Sequence, residues 1–181
     1  VAYRLLAQQP LMNQVVTMDA GFKGHKLLQQ IIDQGGDYLI VVKRNCPQLY
    51  ADIADLWQEE EWLEDLDRYA YTERGHGRID THITTCSTDL NNYLRWPGIQ
   101  QVIKRVRISQ EVKTGQVSTH VTYAMTSLAP DQARAQTLER LWRGHWSIEA
   151  KSHYVRDVTF GEDRCRIRTG SAPEALAALR N

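Results

Sequence analysis

The chain has 181 residues, a net charge of zero and 42% hydrophobic residues, so it can form a packed core and is not a globally disordered protein. No apolar run approaches the roughly 20 residues that a membrane-spanning helix needs, which argues against a membrane protein. Three widely spaced cysteines without a CxxC motif fit free thiols in a reducing cytosol, and we expect a cytoplasmic protein.

The first elements along the chain form a strand, a helix and a second strand. Residues 14–20, "QVVTMDA", are apolar and β-branched and predict a buried strand with Asp19 at its C-terminal end. Residues 24–36 have apolar positions at helical spacing, and Gly35 is expected to end that helix. Residues 37–43, "DYLIVVK", predict another buried strand. This order favours a parallel βαβ unit.

Residues 46–67 predict a second helix, with Pro47 in its first turn and Trp57 on its apolar side. Residues 52–67 contain eight acids and no bases, which we interpret as a solvated face. From Arg68 onward the chain has seventeen Lys and Arg against eleven Asp and Glu. This basic part permits nucleic-acid binding without establishing it, since a charged surface gives the same composition.

Residues 69–128 alternate, are rich in β-branched side chains and predict an antiparallel β segment, with a hairpin turn near "VKTGQVS". Residues 129–155 return to a helical pattern, with Pro130 near the start, and a tail follows. We therefore predict an α/β core in residues 1–68, a β insertion in residues 69–128, and a helix with a tail in residues 129–181.

Two groups of residues suggest a metal site. Asp19 lies at the C-terminal end of a strand, the place where α/β folds bind ligands and metals, although a role in a turn is an equally good interpretation. His145, Glu149 and His153 are spaced four apart and share one face of a helix, so they could bind a transition metal such as zinc. A polar stripe beside a core is the more common origin of such spacing.

Four segments of the chain together resemble the DDE transposases of bacterial insertion sequences, in particular the branch that includes the H-repeat-associated proteins. The segments are "VVTMDA", "GGDYLIVVKRNCPQLYADI", "HGRIDTH" and "WRGHWSIEAKSHYVRDVTFGEDRCRIRTGSAPEALAALRN". The last segment is the most specific, because many residue types recur there at fixed spacing.

The resemblance implies an RNase H-like fold in which two Asp and one Glu hold two Mg²⁺ or Mn²⁺ ions. Asp19 matches the second Asp of that set, and Glu149 matches the Glu. The activity implied is DNA cleavage at the ends of the element and joining to target DNA, with a homodimer in the synaptic complex.

The resemblance also implies DNA contacts. Related transposases carry Tyr, Arg, Glu and Lys at fixed offsets, where this chain has Trp142, His145, Glu149 and Arg156. Three of the four differ but keep aromatic or basic character. Stacking on a base is assigned to Trp142 or Trp146, with core packing as the alternative. Lys43 and Asn45, which follow the second strand, are further candidates for contact with DNA. His76 and Arg78 are weaker candidates and could instead stabilise a turn.

The chain departs from the family pattern before Asp19, because none of the preceding eighteen residues is acidic. We therefore expect the first Asp and the N-terminal strands to be missing, the strand of Asp19 to expose an unpaired edge, and this fragment to be inactive and marginally stable. Two rival hypotheses remain. One is a catalytically dead DNA-binding remnant, and the other is an unrelated metal-binding protein that uses His145, Glu149 and His153.

Overall fold

A computed structural model of the protein describes residues 2–22, 24–58 and 66–148. Its helices are α1 (Ala2–Ala7), a 3₁₀ turn (Ala20–Phe22), α2 (His25–Asp33), α3 (Pro47–Leu56) and α4 (Ala135–Ile148). Its strands are β1 (Val15–Met18), β2 (Asp37–Val42), β3 (Asp67–Gly75), β4 (Arg78–Ser87), β5 (Gln101–Glu111) and β6 (Val117–Thr126).

These strands form one sheet in the order β1-β2-β6-β5-β4-β3. β1 and β2 are parallel, with Val15 opposite Asp37, whereas every other neighbouring pair is antiparallel. The predicted parallel unit and the predicted antiparallel segment are therefore both confirmed. The antiparallel strands continue the same sheet through hydrogen bonds between β2 and β6, in which Ile40 lies opposite Met125.

The pattern of buried residues in α2 follows from its apolar spacing. Leu27, Leu28 and Ile31 are buried against the sheet, as the period of the helix requires. Gly35 adopts a positive φ of 74° just after the helix, the left-handed conformation in which glycine ends helices. The predicted helix end is confirmed.

α3 begins as predicted, with Pro47 in its first turn and no side-chain cap. Leu49, Ile53 and Trp57 are buried, which confirms the predicted apolar side. The helix ends at Leu56, and most of the predicted acidic face, residues 59–65, lies outside the described part of the chain.

Two tight turns join the antiparallel strands into hairpins. His76 and Gly77 connect β3 to β4 with φ values of 50° and 74°, the pair of positive values that a type I′ turn requires. Gly115, with φ 72°, lies in the turn between β5 and β6, where the "VKTGQVS" hairpin was predicted. His76 and Arg78 are thus exposed at a hairpin end, and His76 serves the turn there.

Within the described residues, β1 pairs with β2 and forms one end of the sheet. Its residues Val15, Val16 and Thr17 are half-buried. An open edge at the strand that leads to Asp19 stays a prediction.

Two hydrophobic clusters cover opposite faces of the sheet. One contains residues of α2 and α3 with Tyr38 and Met125, and the other contains Leu138 and Trp142 of α4 with Ile103. The backbone N–H of Ala135 donates to Asp67 Oδ2 at 2.5 Å, which satisfies one of the free donors at the start of α4. The chain divides into two compact units, Val1–Trp142 and Arg143–Asn181, and α4 runs from the first into the second.

Candidate metal and DNA site

Asp19 follows β1 directly, and Lys43 follows the neighbouring strand β2. Because the two strands are parallel, their C-terminal ends lie at the same edge of the sheet. Lys43 Nζ lies 2.9 Å from Asp19 Oδ1, and the two side chains are 52% and 45% exposed. The edge therefore holds an ion pair that water can reach, and its net contribution to stability is small.

Asn45 ties the loop after β2 to the loop after β1. Its Nδ2 donates to the carbonyl oxygen of Ala20 at 3.1 Å, and the N–H of Cys46 donates to the carbonyl oxygen of Lys43 at 3.0 Å. Ala20 itself is only 2% exposed. These contacts hold the two loops in a fixed arrangement, so that the Asp19 carboxylate has a defined position at the sheet edge.

The carboxylate of Asp19 has the chemistry that Mg²⁺ requires, because hard divalent cations bind oxygen ligands and retain water in their other positions. Its partial exposure leaves room for such water. Lys43 provides a competing positive charge at one of the oxygens. Within residues 2–22, 24–58 and 66–148, no group of three His, Cys, Asp or Glu side chains is suited to hold a metal ion.

The predicted residues of α4 have different surroundings. Trp142 is 1% exposed and belongs to the hydrophobic cluster under α4. In this structure it packs in the core, which was the alternative to stacking on a base. His145 is half-buried in the last turn of α4, and Trp146 lies in the same helix. Glu149, Arg156 and His153 are outside the described residues.

A buried acid that sequence reasoning missed lies on α4. Glu139 is 2% exposed, and its carboxylate accepts four hydrogen bonds. Arg105 on β5 donates two of them, from Nε to Oε2 and from Nη2 to Oε1, both at 2.8 Å. Tyr71 Oη donates to Oε1 at 2.9 Å, and Thr84 Oγ1 donates to Oε2 at 2.7 Å. Glu139 thus links α4 to three antiparallel strands.

The network extends through Arg105. Its guanidinium carbon lies 5.9 Å from the centre of the Trp142 ring, and its Nη2 is 3.2 Å from His82 Nδ1. The other ring nitrogen of His82 is 3.1 Å from Glu73 Oε1. Arg105 can only donate, so Nδ1 must accept and the proton must be on Nε2, which makes the ring a neutral bridge between Arg105 and Glu73.

The pKa shifts follow from this arrangement. Burial raises the pKa of Glu139, but the hydrogen bonds from Arg105 and Thr84 outweigh it and hold the pKa below its usual range. Burial and the nearby Arg105 charge lower the pKa of His82, against a smaller opposite effect of Glu73. The network therefore contains an ionised carboxylate and a neutral imidazole.

The sequence does contain a signal for this network. On α4, Ala135, Leu138, Glu139 and Trp142 follow the spacing of one buried helix face, so Glu139 occupies a core position. On β5, Arg105 has the same strand parity as the buried Ile103. A charge at a core position of a helix and an opposite charge at a core position of a strand together predict a buried pair.

Comparison with known proteins gives one family. Residues 2–181 match the family model described as "Transposase DDE domain". Within residues 2–22, 24–58 and 66–148, every helix is too short or too polar to cross a membrane. The family match confirms the resemblance and, with the six-stranded mixed sheet, the RNase H-like fold interrupted by an antiparallel insertion.

Several curated proteins are similar to the chain. The protein YbfL and the "H repeat-associated putative transposase YhhI", both of Escherichia coli strain K12, are each 28% identical over 98% of this chain and 48% of their own length. The "Putative transposase YncI" of Escherichia coli O157:H7 is 27% identical over 97% of this chain and 46% of its own length. The chain thus spans about half the length of the curated relatives it matches.

Proposed function

This chain belongs to the transposase DDE domain family, and from that membership we propose that it forms part of a transposase that cuts DNA at the ends of an insertion sequence and joins the cut ends to target DNA. Divalent metal ions, Mg²⁺ or Mn²⁺, are the expected cofactors. Element ends and target DNA are the expected partners, with a homodimer in the synaptic complex. The cytoplasm is the expected location.

The observation that carries this proposal is the position of Asp19 beside Lys43 at the shared C-terminal edge of two parallel strands. A carboxylate at this edge, held by the Asn45 contact between loops, is suited to a metal ligand. Glu149 is proposed as a second ligand. Lys43, Asn45, His145, Trp146 and Arg156 are proposed to face DNA.

Trp142 is also among the DNA-facing candidates, but its burial prevents direct contact with DNA in this structure. At 1% exposure its ring is in contact with the core and Arg105, so stacking on a base would require α4 to open at that point. We therefore propose that Trp142 contributes to DNA binding through the position of α4, and that a stacking residue lies elsewhere on the helix.

Two divalent ions held by carboxylates can activate an attacking oxygen and stabilise a leaving oxygen at phosphorus. The residues of this chain would supply the ligands and the positive charges around them. Lys43 pairs with the Asp19 carboxylate at 2.9 Å, and its half-exposed side chain would be able to turn toward a phosphate if a cation were held by that carboxylate.

The first experiment measures Mn²⁺ binding to the 181-residue chain by electron paramagnetic resonance. Asp19→Asn and Glu149→Gln should each weaken binding at least about tenfold, since changing even an outer-shell partner of a metal ligand costs about that much. Asp131→Asn changes an exposed acid in a turn and serves as the matched control. Equal Mn²⁺ affinity in Asp19→Asn and the parent chain would contradict the metal role of Asp19.

A second experiment separates catalysis from simple DNA binding. The chain extended upstream to include an acid on a further strand is tested for nicking of DNA that carries element ends, with Mg²⁺. Loss of nicking in Asp19→Asn, with DNA binding retained, supports the proposal. Binding that falls steeply with salt, is unchanged in Glu149→Ala and is never accompanied by nicking indicates a catalytically dead DNA-binding protein.

A further inference from the structure

The ammonium group of Lys43 lies where it would compete with a cation for Asp19. Lys43 Nζ is 2.9 Å from Asp19 Oδ1, one of the two oxygens that the carboxylate can offer to a hard cation. A divalent cation held by the same carboxylate would meet a like charge, which opposes its binding even in water. Lys43 must therefore leave Asp19, or weaken the binding of the cation.

The register of β1 and β2 shows that the Lys43 side chain turns back along the strand to reach Asp19. Met18 lies opposite Ile40, so continuation of that register puts Asp19 level with Val41, two residues before Lys43. Two residues of a strand extend about 6.6 Å. The flexible four-carbon stem of Lys43 spans that distance, and its 52% exposure leaves it room to extend away from the sheet instead.

The loop around Lys43 is held by contacts that do not use the Lys43 side chain. Asn45 Nδ2 donates to the carbonyl oxygen of Ala20 at 3.1 Å, and the guanidinium carbon of Arg44 lies 5.9 Å from the centre of the Tyr50 ring. Neither contact involves the ion pair. The Lys43 side chain can therefore move away from its carboxylate partner while these contacts keep the loop in place.

We propose that Lys43 couples cation binding at Asp19 to the binding of DNA. While Lys43 is paired with Asp19, its charge opposes a cation, and once it is released the same ammonium group binds a phosphate of DNA as a point charge. By linkage, DNA that holds Lys43 strengthens cation binding by the same factor by which the cation strengthens DNA binding. This inference rests on the proposed metal role of Asp19.

The expected size of the effect follows from the exposure of the pair. In water, the interaction of two unit charges about 4 Å apart corresponds to about fivefold in affinity, and a divalent cation carries twice the charge. Loss of the Lys43 charge should therefore raise the Mn²⁺ affinity of the chain without DNA about three- to tenfold at low ionic strength. At 1 M salt the Debye length is about 3 Å, so the difference should fall below about twofold.

The first arm of the test measures Mn²⁺ binding without DNA by electron paramagnetic resonance. Lys43→Met removes the charge, and Lys43→Arg keeps it. Lys113→Met removes an exposed lysine in the turn between β5 and β6 and is the matched control. Lys43→Met should bind Mn²⁺ more tightly than the parent chain at low salt, whereas the other two variants should stay within about twofold of it. Equal urea midpoints show that each variant is folded.

The second arm measures the coupling to DNA. Fluorescence anisotropy gives the affinity for a short labelled duplex with and without saturating Mn²⁺, and the ratio of the two affinities is the coupling factor. This factor should fall at least about threefold in Lys43→Met and should be retained in Lys43→Arg. Lys113→Met should keep the coupling factor of the parent chain, because its lysine is not paired with Asp19.

The outcomes separate this coupling from the metal role of Asp19. Mn²⁺ binding that Asp19→Asn weakens but Lys43→Met does not strengthen overturns the coupling and leaves the metal role standing. An unchanged coupling factor in Lys43→Met, or a parent chain that binds Mn²⁺ but no DNA, also overturns the coupling. Mn²⁺ binding that is indifferent to Asp19→Asn, or absent from the parent chain, refutes the metal role and the coupling together.

Discussion

Removing one partner of the Glu139–Arg105 pair should destabilise the protein strongly. The Glu139 carboxylate is only 2% exposed, and Arg105→Met removes the two hydrogen bonds that it accepts from the charged guanidinium. Loss of one partner from a buried pair costs about 3–5 kcal/mol in free energy of unfolding, because the remaining charge is left buried. For a domain whose total stability is about 5–15 kcal/mol, this is a large fraction.

The double variant Arg105→Met/Glu139→Leu should be less destabilised than either single variant. It removes both charges together, so the desolvation cost of each disappears along with their attraction. The remaining cost is about 1–3 kcal/mol, since the buried hydroxyl of Thr84 loses its acceptor. Non-additivity of this kind is expected of residues that are in contact or in one hydrogen-bond network.

Urea unfolding followed by tryptophan fluorescence measures these free energies, with Arg107→Met as the control that should change stability by less than about 0.5 kcal/mol. The m value should be the same in every variant, which would show that the variants expose the same amount of surface on unfolding and that their free energies can be compared. If the double variant loses the sum of the two single losses, Glu139 and Arg105 do not interact, and the reasoning from their geometry fails.

Three further changes probe the pH response, the packing and a thiol. The free energy of unfolding should decline as the pH falls below 6.5, because the pKa of His82 is lower than that in the folded state and the unfolded state therefore binds more protons. Urea unfolding of His82→Gln should not show this decline. Gly36→Ala should lower the free energy of unfolding by about 1–3 kcal/mol in thermal unfolding, because the new Cβ would lie 2.9 Å from the carbonyl oxygen of Leu11. Gly21→Ala is the control, since its Cβ would meet nothing within 4 Å. Equal losses in the two variants would contradict this packing. Burial raises the pKa of Cys86 to about 12, so a thiol reagent at pH 8 should label it only on unfolding, and rapid labelling of the folded chain would show that the sheet opens there.

Local sequence patterns predicted the first half of the fold well. The run "VVTM", the spacing of Leu27 and Ile31, and the glycine at position 35 each determine structure within a few residues, so the sequence alone identifies β1, α2 and the end of α2. The placement of Asp19 and Lys43 at one edge of the sheet follows from the same local information, although their ion pair was not predicted. Parallel neighbours bring their C-terminal ends together, whatever the rest of the chain does.

The Glu139 network could not be identified in the same way. Glu139 and Arg105 are 34 residues apart, and Tyr71 is 68 residues from Glu139. Their meeting depends on which antiparallel strands are neighbours and on the register of each pair. Strand alternation indicates which side chains share a face, but it does not say which strands the helix will cross.

That register determines which residues of β5 face α4. Arg105 faces α4, whereas its neighbour Lys104 lies on the other face, with Nζ 5.6 Å from the centre of the Trp57 ring. A slip of β5 by one residue would exchange the two faces, so that Lys104 would meet Glu139 and the two-bond fork would be lost. Two apolar residues earlier on β5, Val102 and Ile103, are fully buried on opposite faces, and such a slip would also misplace them. The core packing that specifies the register of β5 therefore also specifies which side chain of β5 meets Glu139.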